Sequence, residues 1–248
     1  MLGTIKSLIE RATRRAESDA IAGWARRAGH VHKREKDGDG FAVEGSFDAT
    51  PWRIEWGRPQ RPYIEGHELR MRMVLDVPRD LQLLLMTRSL KERLASEAFE
   101  HATQGNQTAI DDSVGEETRW LVVLPKISFA ESAILRSCFA GVAAHRHEGA
   151  AWLEGPFAHA LERAATTWLN AQPPFLLMTL RGRLYLRLQL ATPDEADIAA
   201  ALTLFGIAGA SARRIARARS DADAAWASSL STAWQSLPPE RAERKGAP

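Results

Sequence analysis

The stretch L-R-M-R-M-V-L-D-V-P, from Leu69 to Pro78, alternates apolar and basic side chains. In an extended strand its Leu and Met side chains lie on one face, and Arg70 and Arg72 lie on the other. An apolar face opposite a charged face is typical of an antiparallel strand that packs on a core on one side only. We therefore predict an antiparallel strand here, with its arginines in solvent.

A second stretch, L-Y-L-R-L-Q-L-A-T-P from Leu184 to Pro193, repeats this plan at an offset of 115 residues. Both stretches begin with Leu, carry Arg at the fourth place (Arg72 and Arg187) and end with Pro. Amphipathic strands resemble one another because a half-buried sheet demands the alternation, whereas a duplicated unit keeps a constant offset. Chance and duplication both stay open, and duplication predicts two related lobes.

Shorter alternating segments surround these two. F-A-V-E-G-S-F (41–47) and W-R-I-E-W (52–56) are separated by turn formers, which indicates an antiparallel meander. P-F-L-L-M-T-L and L-Y-L-R-L-Q-L flank R-G-R, which predicts a hairpin with Gly182 in the bend. The apolar segment Ile134 to Ala144 predicts a buried strand, and the run Leu81 to Thr87 is too short to distinguish a strand from a helix.

Apolar residues at three- and four-residue spacing predict a helix over residues 2–28. The apolar stripe of this helix, which includes Ile5, Leu8 and Ile9, packs on the protein body in one interpretation. In the other interpretation it lies on an anionic membrane surface, with Arg on its polar face.

A late helix is predicted from its start signals. Thr192 is the expected cap and Pro193 the expected first position, and the helix runs to about Arg219. A separate short helix is expected over 222–236.

These elements predict an α+β fold: antiparallel β-sheets in two related lobes flanked by helices, with an N-terminal amphipathic helix. A polar connector rich in turn formers divides the chain. The predicted units are an N-terminal helix (1–29), a first lobe (30–103), the connector (104–115), a second lobe (116–219), and a short helix with a disordered tail (220–248). A single domain that contains both lobes is the alternative.

Charge and composition exclude several classes of function. The chain has 33 Lys and Arg against 31 Asp and Glu, a net charge of +2, whereas a dedicated nucleic-acid binder shows a strongly basic face. No run of about 18 apolar residues is present, so we expect no transmembrane segment. The first residues lack the features of a secretory signal. We therefore expect a cytoplasmic protein, peripheral at the membrane if the first helix binds lipid.

Motifs of nucleophilic, nucleotide-binding and redox enzymes, such as G-x-S-x-G, the Walker loop and C-x-x-C, are missing from the sequence. We therefore predict no cofactor and favour a non-enzymatic role. The competing hypothesis is a metal-dependent hydrolase that uses two H-x-H pairs, His30 with His32 and His145 with His147. Two strand residues at this spacing point to one side, and a further ligand would complete a metal site if the pairs meet.

Arginines on the solvent side of the predicted strands form the other candidate site, a face that binds anions or acidic partners. The candidate residues are Arg53, Arg70, Arg72, Arg183 and Arg187, with Tyr185 among them. The alternative is a charge-balanced surface, because Glu55, Glu65 and Glu68 lie nearby in sequence and can pair with the arginines.

W-R-I-E-W-G-R-P-Q-R-P-Y-I-E-G-H-E-L-R-M-R (52–72) and R-G-R-L-Y-L-R (181–187) resemble bacterial proteins of this length whose function is unknown. The resemblance covers residues 40–215 and implies no catalytic residues. Three functions stay open. We favour an accessory protein that binds an unknown protein partner through the charged sheet face and the first helix. The alternatives are the metal-dependent hydrolase and a peripheral membrane protein.

Overall fold

Eight antiparallel strands form one sheet in the computed structural model, which describes residues 16–35, 40–104, 115–129 and 132–235. The strands are β1 (Val31–Arg34), β2 (Phe41–Phe47), β3 (Thr50–Gly57), β4 (Glu68–Val74), β5 (Leu83–Thr87), β6 (Phe139–Ala143), β7 (Phe175–Leu180) and β8 (Arg183–Gln189). Their order across the sheet is β1-β2-β3-β4-β8-β7-β5-β6. All neighbouring pairs are antiparallel.

Seven helices accompany the sheet within the same ranges, and the predicted α+β class is confirmed. The helices are α1 (16–27), α2 (Arg88–Gln104), α3 (Glu116–Val123), α4 (Ala133–Cys138), α5 (Arg146–Trp152), α6 (Pro156–Thr166) and α7 (Glu195–Gln235). The predicted N-terminal helix is therefore present as α1, whereas residues 2–15 of that prediction lie outside the described residues.

The two similar stretches become the central pair of the sheet, β4 and β8. Leu69 lies opposite Leu188, and Met73 lies opposite Leu184. The offset of 115 relates residue 69 to 184 and residue 73 to 188, so the pair is symmetric about a local twofold axis at Met71 and its partner. The division into two lobes is not confirmed, because β5 from the first half lies between β7 and β6 from the second.

One face of the sheet carries the main core. Inward side chains of the strands pack with apolar residues of α1 and α4–α7, and among them Ile54, Met71 and Leu186 are at most 2% exposed. Helix α7 crosses this face closely, since a Cβ on Gly209 would lie only 2.5 Å from the end of the Met73 side chain. Burial of this continuous apolar layer is the main stabilising contribution to the fold.

The opposite face is divided between two environments. Its β5–β7 half carries Leu84, Met86 and Leu176, which pack with Leu90 of α2 and Trp120 of α3 in a second, smaller core. Its β1–β4 and β8 half carries the charged side chains of the alternating strands, and no described helix covers it. This open half is the place where the predicted arginine face can exist.

The segment Ile134–Ala144 is not one buried strand as predicted. Residues Ala133–Cys138 form α4, and only Phe139–Ala143 extend as β6. The side chain of Ser132 accepts a hydrogen bond from the backbone N–H of Leu135 at 3.2 Å, which caps the helix. The apolar composition of this segment predicted a strand throughout, whereas its first part is a short capped helix.

The prediction for the last helix was wrong at both ends. Asp194, and not Thr192, caps α7, because its carboxylate accepts a hydrogen bond from the N–H of Asp197 at 2.9 Å. The helix then continues to Gln235 without the break expected near residue 220. The hairpin prediction is confirmed: Arg181 and Gly182, with φ of 52° and 76°, form the bend between β7 and β8.

Among the described residues, one helix is long and apolar enough to cross a membrane. Residues Glu195–Ala222 have a mean hydropathy of 1.3 in their most apolar window, of which 56% is buried inside the protein. A buried core helix and a membrane span share this composition.

Candidate functional site

All five predicted arginines lie on the open half of the sheet. Strand register places Arg53 of β3 opposite Arg72 of β4, and Arg72 opposite Tyr185 of β8. Arg70 lies opposite Arg187 in the same pair of strands. We call this surface the charged sheet face. It consists of Lys33, Glu44, Arg53, Glu55, Glu68, Arg70, Arg72, Arg183, Tyr185 and Arg187.

The outer part of this face is a chain of ion pairs across four strands, β1 to β4. Glu44 of β2 accepts hydrogen bonds from Lys33 of β1, at 2.7 Å, and from Arg53 of β3. The Nε of Arg53 also donates to Glu55 at 2.5 Å, and Arg70 of β4 lies 3.4 Å from the same carboxylate. Each carboxylate is therefore shared between two cations, which fixes the side chains along the sheet.

The inner part is centred on Glu68, whose side chain is fully buried. Its carboxylate accepts hydrogen bonds from Arg187, from Arg70 at 3.4 Å, and from the backbone N–H of Gln60 at 2.7 Å. The loop after β3 thus covers this end of the face and closes it to solvent. The Y-I-E-G-H-E-L context of Glu68 gave no signal that this glutamate would be buried.

Electrostatics lower the pKa of two glutamates of the face, Glu55 and Glu44. Burial alone would raise the pKa of Glu55, but the hydrogen bond from Arg53 and the charges of Arg70 and Arg72 hold that pKa below its ordinary value. Hydrogen bonds from Lys33 and then Arg53 lower the pKa of Glu44. At neutral pH Glu44 and Glu55 are therefore anions that neutralise part of the basic face.

Two arginines at the other end of the face, Arg72 and Arg183, form no ion pair with these glutamates. Arg72 and Arg183 are exposed, and neither forms an ion pair within the described part of the chain, although the charge of Arg72 acts on Glu55. They flank Tyr185, which lies directly opposite Arg72 and two residues from Arg183 on the same side of β8. The face holds six basic side chains and three glutamates. Its surplus positive charge is concentrated here.

A buried polar cluster lies beside the face and was missed by the sequence analysis. Glu117, at the start of α3, accepts hydrogen bonds from the Nε of Arg61 at 2.7 Å and from the Tyr63 hydroxyl at 2.9 Å. Burial raises the pKa of the Glu117 carboxyl, but its own backbone N–H, Arg61 and Tyr63 outweigh this and lower the pKa overall. Burial, and then Glu117, raise the pKa of the Tyr63 hydroxyl. The cluster fixes the loop after β3 on α3, and no motif links its members in sequence.

The structure does not bring the two H-x-H pairs together. His30 and His32 lie at β1, on one edge of the sheet, and His145 and His147 follow β6, on the other edge. Six strands separate the pairs, and the described residues contain no group of three or more potential ligands that could hold a metal ion. The metal-site hypothesis therefore lacks the convergence of ligands that it requires.

His30 instead has an aromatic environment. Its ring lies edge-on to Trp24 and Trp52, with centroid distances of 5.7 and 4.7 Å. Burial lowers the pKa of His30 below its ordinary value of 6.5.

This environment predicts acid sensitivity. Because the folded-state pKa of His30 is depressed, its contribution to stability is present above pH 6.5 and is lost as the pH falls through the folded-state value. Below pH 6.5 the free energy of unfolding of His30→Gln should fall less steeply with decreasing pH than that of wild type. Urea titration at several pH values measures this slope. His147→Asn, on an exposed side chain, is the control and should keep the wild-type slope. An unchanged slope in His30→Gln would contradict the assignment.

Comparison with known proteins adds little. No family model matches the chain, and no curated protein matches it. Among solved structures, the fold is similar to the crystal structure of the mycobacterial trehalose monomycolate transport factor A, TtfA. The TM-score is 0.45 at 10% identity, over 79% of this chain and 94% of that one. Similarity at this level supports no inference about the function of this chain.

Proposed function

We propose that this chain is a non-catalytic interaction protein whose charged sheet face binds an acidic segment of a partner protein. The observation that carries the proposal is the pair Arg72 and Arg183. Both are exposed and lack an ion-pair partner within the described residues, while Glu44, Glu55 and Glu68 are all engaged with other cations. Guanidinium groups bind carboxylates in a bidentate geometry, and the fixed strands hold these two arginines in place.

The arrangement favours a protein partner over a nucleic acid. The glutamates Glu44 and Glu55 lie among the arginines and would repel a continuous phosphate backbone. A protein segment can place carboxylates opposite Arg72 and Arg183 and a basic or neutral residue opposite the glutamates. Tyr185, half-buried between the two arginines, adds an aromatic contact surface for such a segment.

Binding of a synthetic peptide tests this proposal. The probe is a peptide of about 12 residues, rich in Glu with interspersed Lys, and its binding is measured by fluorescence anisotropy at low and high salt. We expect wild-type protein to bind it. Arg72→Glu combined with Arg183→Glu should weaken binding by about tenfold or more, because two attractive contacts become repulsive.

The matched control is Arg146→Glu, a charge reversal on an exposed residue of α5, which packs on the opposite face of the sheet. This variant should bind like wild type. Equal loss in both variants would mean that only net charge matters and would overturn the proposal. Tighter binding of a single-stranded oligonucleotide than of the peptide would overturn it as well.

The other two hypotheses have less support. The hydrolase needs His30 and His32 to meet His145 and His147, which lie at the far edge of the sheet. Membrane association depends on Ile5, outside the described residues, and its apolar neighbours. It stays a prediction, as does the cytoplasmic location.

A further inference from the structure

An apolar groove lies between α2 and α3, over the part of the sheet that the smaller core covers. Its volume is about 370 Å³. On α2 it is lined by Lys91, Leu94, Ala95, Ala98 and Phe99, whose spacing of three and four residues places them in one stripe along the helix. Leu94 is buried in the smaller core and forms the floor of the groove. The other members of the stripe therefore form a wall that opens outward.

Helix α3 supplies the second wall with Leu121 and Val122. Val122 and its neighbour Val123 are 69% and 67% exposed, and Phe99 across the groove is 70% exposed. These three are the most exposed of the large apolar side chains in the described ranges. Phe99 and Val122 line the two walls of the groove, and Val123 adjoins Val122. Exposed apolar side chains grouped at a groove, unlike scattered single ones, mark an interaction site.

Charge at the groove specifies the chemistry of its occupant. Lys91 on α2 and Lys126, beyond the end of α3, both line the groove, and none of its described lining residues is acidic. Neither lysine has an ion-pair partner in the parts of the chain that the structure describes. An occupant that buries apolar side chains between the helices and places carboxylates near the two ammonium groups complements this surface.

We propose that the α2–α3 groove is a second docking site, which binds an acidic amphipathic helix of a partner protein. Both walls are helices, and a third helix packs into the groove between two others through side chains at three- and four-residue spacing. The 17 residues of α2 can support a partner helix of several turns. The site is distinct from the charged sheet face, because it uses apolar burial where the sheet face uses guanidinium groups.

The test uses synthetic peptides of about 18 residues, a length that matches α2. One carries Leu at three- and four-residue spacing with Glu elsewhere, the second has the same composition in scrambled order, and the third replaces Glu by Lys. We expect the first to bind at least about tenfold more tightly than the other two, by isothermal titration calorimetry. Val122→Ser with Val123→Ser should weaken its binding by about tenfold or more.

Ile134→Ser is the matched control, since Ile134 is an exposed apolar residue of α4, outside the groove. It should leave peptide binding unchanged. Reversal of the lysines, Lys91→Glu with Lys126→Glu, should transfer the preference to the Lys-containing peptide. Thermal unfolding of every variant should match wild type, because all of the changed side chains lie at the surface.

Several results would overturn the proposal: no saturable binding of the first peptide, equal binding of the scrambled peptide, or equal loss in Ile134→Ser. Dissociation of a homodimer by the valine substitutions would show that a second copy occupies the groove, and preferred binding to anionic vesicles would show that lipid does. Arg72→Glu with Arg183→Glu should leave this binding intact, so failure at the groove and failure at the charged sheet face are distinguishable.

Discussion

Glu68→Gln should cost about 3 kcal/mol of unfolding free energy, because it removes the buried carboxylate that neutralises Arg70 and Arg187. The side chains of these arginines are only 13% and 17% exposed, so solvent cannot replace the lost charge. The glutamine side chain would also direct an N–H group at guanidinium donors. Urea unfolding followed by tryptophan fluorescence measures the effect.

Glu44→Gln is the matched control for this experiment. It removes a carboxylate that also binds two cations on the same face, but the Glu44 side chain is 34% exposed. We expect a cost of less than about 1 kcal/mol, typical of solvated ion pairs. If the two substitutions cost the same, then burial by the loop after β3 does not determine the strength of the network.

Trp152→Ala should destabilise the protein by about 3–5 kcal/mol. The Trp152 side chain is fully buried, lies against Phe157 with a centroid distance of 4.9 Å, and donates its indole N–H to the carbonyl of Ala208 at 3.1 Å. The substitution leaves a large cavity between α5, α6 and α7 and removes the hydrogen bond that joins α5 to α7. Thermal and urea unfolding should both show the loss.

Trp168→Ala tests whether this effect comes from burial or only from the loss of an indole ring. Trp168 is half-buried and contacts Phe175 edge-on at 6.3 Å. Its removal should cost about 1–2 kcal/mol, since solvent can fill the vacated space. A larger loss in Trp168→Ala than in Trp152→Ala would contradict the assignment of Trp152 to the centre of the main core.

Local periodicity was sufficient to predict most of the elements. The alternation from Leu69 to Pro78 predicted β4, and the turn formers at Gly182 predicted the hairpin of β7 and β8. The capped helix α4 was not predicted because the segment is apolar throughout, and its start signal is the single residue Ser132. Periodicity reports which face of an element is buried, and it does not report where a polar side chain caps the start of a helix.

The strand order and much of the candidate site could not be predicted from the sequence. No local pattern encodes contacts between distant segments. Such contacts determine that β4 pairs with β8 and that β5 lies between β7 and β6. The arginines of the charged sheet face were predicted from the alternation. The burial of Glu68 and the cluster at Glu117 arise only when the loop after β3 folds over the sheet.

The central position of β4 and β8 also governs how the chain can fold. The two central strands pair with each other although they lie more than a hundred residues apart in sequence. During synthesis, β1–β4 are complete long before β8 leaves the ribosome. The edge of β4 that pairs with β8 is therefore unpaired during this time. Distant pairings of this kind slow folding, because the intervening chain must be ordered before they form. A chain truncated before residue 183 should therefore aggregate, since it presents the unpaired backbone groups of this edge without β8, the strand that pairs with them.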